Sequence, residues 1–349
     1  MVHWINPQFT RSRIRAAGKR IRDNQHTAED VAVLENFRAS HTYIMNTFNA
    51  NLRLRSRGKD VVVAQRLKRR HTIFDKLRRE PNMQLHLMHD VAGSRLIFKD
   101  QDGLNEFRDS FHRAKFEHLL KTRDNDRYNY VQKPKETGYR GIHDVYEYRS
   151  SSLKGERWNG LQIEIQYRTR VQHAWATAVE VADLINTSRI KFDEADQHHR
   201  SFFRLASEIM ARAHEGGASC LSDLSNEKLL EEFRRADKRT GLILAFRNLQ
   251  GTSGHLRLKM NTILIFDLDT SSERRPLMTE TFDSLNRAIT RYEALEKEFA
   301  GTADIVLVRS ATPEAIRDAF RNYFSDVGDF LKYLDSGRKI LAPRRAAAQ

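Results

Sequence analysis

Two carboxylates and a cluster of cations have the residue types and spacing for chemistry. Glu164 sits in Leu161-Gln-Ile-Glu-Ile-Gln-Tyr-Arg-Thr169, where apolar and polar residues alternate. Side chains alternate faces along a strand, so Leu161, Ile163, Ile165 and Tyr167 share one face, and Gln162, Glu164, Gln166 and Arg168 the other. A plain half-buried strand has the same pattern. Asp90 opens the apolar run Asp90-Val-Ala-Gly-Ser-Arg95-Leu-Ile-Phe98, which reads as a more fully buried strand. An acid at that place is a cap or a site residue. Two carboxylates on neighbouring strands suit Mg²⁺, which takes few protein carboxylates and fills its shell with water and phosphate oxygens. Between them runs Tyr130-Val-Gln-Lys-Pro-Lys-Glu-Thr-Gly-Tyr-Arg-Gly-Ile-His143. Its Lys133, Lys135 and Arg140 can pair with phosphoryl charge, and Pro134 and Gly138 shape the backbone. Tyr139 offers a ring for base stacking, worth about 1–3 kcal/mol. A solvated basic turn is the plainer reading of that loop. Taken together, the set is the chemistry of metal-assisted transfer from a nucleotide.

The elements that must position these residues follow from periodicity. Ile142–Tyr148 alternates into a strand, and the Asn159-Gly160 turn predicts a hairpin with the strand ending at Thr169. A helix from Arg170 carries His173, Trp175, Ala178 and Val181, with Trp175 in the core and His173 open between packing and site roles. Upstream, Arg11–Arg22 has six cations and no acid. It reads either as an arm on phosphates or as a solvated helix face with Ile14 and Ile21 turned inward. Thr27 N-caps a helix with acids in its first turn and Val31, Leu34 and Phe37 as core. Val61–Arg79 is expected to be helical, with Arg66, Lys68, Arg69, Arg70, Lys76, Arg78 and Arg79 against Asp75. Like charges this dense repel in a bare helix, so an anion would relieve them. Gly103–Lys115 reads as a helix and Lys121–Tyr130 as a polar loop.

These blocks resemble the synthetase domain of the RelA/SpoT family. The matching motifs are the Asp-(Ile/Val)-Ala-Gly-x-Arg strand (Asp90–Arg95), the Tyr-to-His loop (Tyr130–His143), Glu-(Val/Ile)-Gln-x-Arg-Thr (Glu164–Thr169), and an upstream Arg-x-Lys with a further Lys (Arg66, Lys68, Lys76). They cover about residues 27–210, and four blocks in order are far more specific than one. The resemblance implies a nucleotidyltransferase-like α/β fold, a mixed sheet flanked by helices. It implies Mg²⁺-dependent transfer of pyrophosphate from ATP to a ribose 3′-OH. Asp90 and Glu164 would hold the metal, and Glu164, Asp90 and Arg95 would be catalytic. ATP would lie on Arg66, Lys68, Lys76, Gln166, Arg168 and His173, and the acceptor on Tyr139, Lys135, Arg140 and His143. The sequence departs from the family pattern at Asn129, Thr137 and Gly141, which border the acceptor pocket and leave the acceptor in question.

The acceptor expected is the 3′ CCA end of tRNA. That would make the protein a translation-inhibiting toxin with a place in phage defence, like the fused CapRel-like members whose C-terminal half restrains the toxic half. GDP or GTP, giving (p)ppGpp, is the alternative, and a non-catalytic nucleotide- or RNA-binding regulator is the second. Net charge of +14 favours a polyanionic partner. The 349 residues allow two domains. Residues 1–214 are expected to form the synthetase domain with its N-terminal helices, and 215–349 a smaller mixed α/β regulatory domain that binds a protein trigger.

His214-Glu-Gly-Gly-Ala-Ser-Cys-Leu-Ser222 marks the boundary. Beyond it, Asn226–Lys238 reads as a helix; Leu242–Phe246, His255–Lys259, Thr262–Leu268 and Asp304–Arg309 as strands; Thr281–Phe299 as an amphipathic helix; and helices follow through Leu334, before a disordered tail. Asp267 and Asp269 read as a strand-end turn. One cysteine excludes an internal disulfide and fits a reducing cytosol. No apolar window reaches membrane-spanning length, and the N-terminus lacks a signal core, so a cytoplasmic protein is expected. The His89-Asp90 and His143-Asp144 pairs do not make a metal hydrolase domain, since that domain would precede the synthetase and no zinc spacing is present.

Overall fold

The computed structural model describes residues 4–122, 126–185, 194–250, 261–267, 277–299, 303–309 and 327–343. The chain divides into two compact units, each interleaved in sequence. The first is Met1–Leu96, Asn105–Tyr128 and Ile142–Tyr167, and the second is Ile97–Leu104, Asn129–Gly141 and Arg168–Gln349.

The first unit begins with α1 (Arg11–Arg22) and α2 (Ala28–Arg55). Thr27 caps α2 in a reciprocal capping box with Asp30, which satisfies two otherwise orphaned backbone donors. Asp30 also takes Arg13 at 3.0 Å and Arg20 at 2.7 Å. The hydrogen bonds from Arg20 and Thr27 hold its carboxyl far below the ordinary range against the opposing effect of burial. Arg22 donates to the carbonyls of Leu77 and Met83. Three cations of the basic segment are therefore structural, while Arg11, Arg15 and Lys19 remain exposed.

The stretch expected as one helix over Val61–Arg79 is in fact β1 (Val61–Leu67) followed by α3 (Arg70–Arg79). Three consecutive β-branched valines stiffen χ1 and favour extended backbone, which overrides the helical charge spacing. Arg69, one of the cations read as needing an anion, is buried at the start of α3. Strand β2 (Ala92–Phe98), helix α4 (Gln101–His112), the short β3 (Leu119–Leu120), β4 (Ile142–Glu147) and β5 (Gln162–Thr169) follow. The strands form one mixed sheet in the order β1-β2-β5-β4-β3. The predicted hairpin is present: β4 and β5 are antiparallel, with His143 opposite Gln166 and Val145 opposite Glu164. Both faces of β5 are largely buried, which the alternating pattern alone did not require.

Five helices of the second unit are built on one apolar core. Helices α5 (Arg170–Ile185), α6 (Glu194–His214), α7 (Asn226–Thr240), α8 (Leu242–Gln250) and α10 (Val327–Leu341) share it. Trp175, Phe202, Phe233, Phe246 and Phe330 are all buried there. Leu242–Phe246, expected as a strand, is helical. Gly241 ends α7 at φ +64, a left-handed cap that favours glycine. The chain then restarts so that Leu242, Ile243 and Phe246 face the core at helical spacing. The glycine-rich stretch after α6 is not loose: Glu208 accepts from the backbone of Ser219 and Leu221, and Arg212 donates to the carbonyls of Leu221, Ser222 and Leu224.

A separate three-stranded sheet, in the order β7-β6-β8, is formed by β6 (Asn261–Asp267), β7 (Leu277–Phe282) and β8 (Ala303–Arg309), with α9 (Leu285–Glu298) packed on it. Thr281 and Phe282 close β7 rather than open the helix, which Ser284 precedes as N-cap. The expected strand His255–Lys259, Asp269, the tail beyond Pro343, and part of the Lys121–Tyr130 loop lie outside the described residues. Among the described residues no helix is long and apolar enough to cross a membrane.

Candidate functional site

The first unit gathers a carboxylate cluster on one face of its sheet. Asp90 precedes β2 and receives two ammonium groups on one oxygen: Lys68 Nζ at 2.8 Å and Lys76 Nζ at 3.0 Å from Oδ2. Its Oδ1 is buried with no hydrogen-bond partner. Burial pushes the Asp90 carboxyl up, but the two lysines outweigh it and hold it below the ordinary range. Two cations on one anion leave a local positive excess, which suits a phosphate chain.

Glu164 lies on β5 with a side chain only 8% exposed. Its Oε1 accepts from Gln166 Nε2 at 2.6 Å. Its Oε2 faces His143 Nδ1 at 3.3 Å and His89 Nε2 at 3.5 Å. Strand geometry explains the first of these: His143 pairs with Gln166, so it is the diagonal neighbour of Glu164 on the same face. Burial opposes ionisation of Glu164, yet the charge of His143 and the hydrogen bonds from His143, His89 and Gln166 hold its carboxyl well below the ordinary range. Asp90 and Glu164 are close enough that the charge on Glu164 raises the Asp90 carboxyl. Gly93 lies between the strands: a Cβ there would meet the carbonyl oxygens of Arg66 at 3.7 Å and Glu164 at 3.8 Å. Arg66 on β1 and Arg95 on β2 are partly exposed.

These residues fit Mg²⁺ of the kind that borrows a nucleotide's phosphates. Among the described residues no group of three or more His, Cys, Asp or Glu forms a cage for a metal. The orphaned buried oxygen of Asp90 beside the ionised Glu164 is the donor pair such an ion needs, and substrate oxygens and water would supply the rest.

The second unit holds the aromatic part of the set. The guanidinium of Arg168 lies 5.2 Å from the centre of the Tyr139 ring, and its Nη2 donates to the Tyr139 hydroxyl at 3.1 Å. Lys135 Nζ sits 4.4 Å from the Tyr130 ring and 5.4 Å from that of Tyr139. Lys133 and Lys135 are exposed. Arg140, expected on the acceptor, is instead buried and ion-paired with Glu215. His173 is 1% exposed within α5.

Sequence reasoning missed His89, Glu208 and Glu215. The resemblance motif begins one residue after His89, so only its adjacency to Asp90 pointed to it. Glu215 carries no local signal, because its partners Arg140, Thr169 and Gln172 lie far along the chain, whereas Glu208 has Arg212 one helical turn on, a spacing that reads as an ordinary surface pair.

A family model described as the region found in RelA/SpoT proteins matches residues 65–185. The GTP pyrophosphokinase YjbM of Bacillus subtilis (strain 168) is 31% identical over 117 residues, which are 33% of this chain and 52% of that protein. The chain thus spans about half the length of the curated relative it matches. Among solved structures, small alarmone synthetase 1 from Bacillus subtilis bound to its product pppGpp is 22% identical with a TM-score of 0.43, covering 51% of this chain and 91% of that one. Small alarmone synthetase 2 from the same organism is 20% identical with a TM-score of 0.41, covering 51% and 92%. Asp90, Glu164, both lysines, Tyr139 and His173 all lie within residues 65–185, the segment that resembles the region found in RelA/SpoT proteins.

Proposed function

We propose that the protein is an ATP-dependent pyrophosphokinase that moves the β,γ-pyrophosphoryl group of ATP to a ribose 3′-OH. The observation that carries this reading is the Asp90–Glu164 pair with Lys68 and Lys76 converging on Asp90. The 3′-oxygen forms a bond to the β-phosphorus, the bond from that phosphorus to the α-bridging oxygen breaks, and AMP leaves. Lys68, Lys76 and Arg66 bind the phosphates and base of ATP. Mg²⁺ held by Asp90 and Glu164 would neutralise charge on the transferring group. Glu164 is held ionised by His143, His89 and Gln166, and the proton of the attacking hydroxyl passes to solvent water as the new bond forms. The role of Glu164 is to stay ionised and accept a hydrogen bond from the attacking hydroxyl, while Gln166 and the two imidazoles fix its orientation. Tyr139 stacks on the acceptor base, and Arg168 holds that ring.

The acceptor we propose is the 3′ end of tRNA. The support is charge: with Arg13, Arg20 and Arg22 engaged inside the fold, Arg11, Arg15 and Lys19 of α1 and Arg78 and Arg79 of α3 stay exposed on two helices that share one core. A nucleic-acid backbone uses such contacts and a single nucleotide does not. The second reading, a GDP or GTP acceptor, is favoured by the name of the Bacillus relative. Residues 215–349 are proposed as a regulatory region that restrains a toxic transfer and answers a protein trigger.

The test incubates the full-length protein with γ-labelled ATP and Mg²⁺, and offers deacylated tRNA, GDP and GTP in turn. Label in tRNA that is lost when the 3′ end is oxidised supports the first reading, and label in the guanine nucleotide alone supports the second. No label in any acceptor together with no Mg²⁺-dependent ATP binding, with the protein folded, overturns the pyrophosphokinase assignment, whereas ATP binding without transfer is the restrained state that residues 215–349 impose. The full chain is required, because a cut after residue 216 would strip Phe233, Phe246 and Phe330 from the core around Phe202.

A further inference from the structure

Tyr139 is flanked by two residues that the rest of the second unit holds firmly. On one side, Gly138 has φ +88, and its carbonyl accepts from Ser207 Oγ of α6 at 2.6 Å. A Cβ at Gly138 would come within 2.9 Å of Ser207 Cβ, so the backbone there lies directly on α6. On the other side, Arg140 Nη1 pairs with Oε2 of Glu215, the residue that follows α6. The Glu215 side chain is 5% exposed and its other oxygen is also used. Oε1 accepts from Thr169 Oγ1 at 2.5 Å and Gln172 Nε2 at 2.9 Å. Thr169 and Gln172 in turn cap each other's backbone N–H groups at the start of α5, each at 3.1 Å. One buried carboxylate therefore joins the Tyr139 loop, the end of β5 just after Arg168, and the first turn of α5. A buried ion pair is poor evidence for stability, but it defines geometry, since breaking it leaves an uncompensated charge.

We propose that Glu215 is the positioning residue of the acceptor subsite, an inference that rests on the pyrophosphokinase reading. Through Arg140 it sets the plane of the Tyr139 ring, and through Thr169 it sets the strand end that carries Arg168. Arg140 is then a structural lever and not a phosphate ligand. The controlling residue lies outside the RelA/SpoT region at 65–185. Acceptor affinity is thereby coupled to the segment 215–221, which Glu208 and Ser207 tie to α6.

The test compares full-length wild type with Glu215→Ala and Glu215→Gln. It reads KM for ATP, KM for the preferred acceptor, kcat, and amide hydrogen exchange over residues 129–141. Glu215→Ala is expected to lower kcat/KM for the acceptor by roughly 100-fold, the scale of a 1 Å misplacement, chiefly through acceptor KM. KM for ATP stays unchanged and exchange at 138–141 quickens. Glu215→Gln keeps an acceptor oxygen for Thr169 and shows a smaller change in the same direction. Circular dichroism checks folding, and if Glu215→Ala unfolds, Glu215→Gln decides. Equal losses for ATP and acceptor, or unchanged exchange at 138–141 in a folded variant, overturn the proposal. If wild type transfers to no acceptor, the kinetic arm falls away and exchange at 138–141 alone judges the clamp.

Discussion

The two faces of the five-stranded sheet each bury a carboxylate among bases, and they differ in what is left over. On one face, Asp144 of β4 is fully buried, with Arg108 on both oxygens and His112 Nε2 at 2.6 Å from Oδ2. Both partners come from α4, and Arg108 also reaches Asp126 at 2.6 Å. Burial works to raise the Asp144 carboxyl, but His112 and Arg108 hold it below the ordinary range. On the other face, Glu164 and Asp90 carry the same kind of charge, but Asp90 keeps an unpartnered oxygen and its side chain stays 21% exposed. Consecutive residues of β4, His143 and Asp144, belong to opposite faces because side chains alternate along a strand. Burial and an acidic carboxyl are common to both clusters, so neither property marks a site. What separates them is unspent bonding capacity: Asp144 is satisfied and fixes a helix to the sheet, whereas Asp90 can still take a ligand.

The largest effect expected from this contrast is catalytic. Glu164→Gln preserves shape and most hydrogen bonds but removes the charge. Transfer should fall roughly 10⁴-fold, the scale seen when a catalytic carboxylate is lost, with a melting temperature close to wild type. Labelled-ATP turnover and a thermal melt measure both. Asp144→Ala should do the reverse. It leaves Arg108 and His112 partly unpaired at a buried position and should destabilise by about 3 kcal/mol, read as a lower urea midpoint, with kcat little changed in the protein that remains folded. An Asp144→Ala protein of normal stability and no activity would break the contrast, as would a Glu164→Gln protein that is unfolded.

The subsite around Tyr139 should respond less. Tyr139→Ala removes a stacking ring worth about 2 kcal/mol, so acceptor KM rises while KM for ATP holds. Tyr139→Phe loses only the hydroxyl that accepts from Arg168, about 1 kcal/mol. Equal effects of the two substitutions would mean that the ring is not what the acceptor meets.

How far the sequence revealed this arrangement depends on how local each cause was. Alternation over 161–169 placed Glu164, Gln166 and Arg168 on one face, and pairing with β4 then supplied His143. The N-cap at Thr27 was equally legible, and so was the option of inward Ile14 and Ile21, since each follows from residues within a turn or two. Val61–Leu67 was misread because its cations fit a helical spacing that includes α3, and the valine run decided otherwise. Leu242–Phe246 was misread because a short apolar run has no period of its own, so the shared core with Phe330 fixed its form. Arg140 looked like a phosphate ligand because its partner Glu215 lies 75 residues away in sequence. The basic segment stayed open between an arm and a solvated face for the same reason, since the acid that Arg13 and Arg20 share lies on α2. Charge at a residue is visible in sequence, whereas its neutralisation is a tertiary fact.

A test that at first changes no residue uses pH to tell the two kinds of buried group apart. His41 on α2 is buried and neutral, with Nδ1 2.7 Å from the Phe37 carbonyl, and burial lowers its pKa from 6.5 to about 4. Between those values the unfolded chain binds the extra proton and the folded protein does not, so stability is complete above pH 6.5 and falls as pH drops towards 4. By pH 5 the loss should be about 2 kcal/mol. The carboxylates Asp90, Asp144 and Glu164 are displaced in the acid direction. Their contribution is full above the ordinary carboxylate range and is lost only as pH falls below it. Acid destabilisation should therefore come in two stages, read as urea midpoints from pH 7 to 3. His41→Leu should shrink the first stage, to which His118 also contributes, and leave the second, whereas Asp144→Asn should shrink the second and leave the first. A wild-type midpoint that is level from pH 7 to 4.5 would show that His41 takes up its proton without cost, and that burial on this helix is looser than the packing around Phe37 implies.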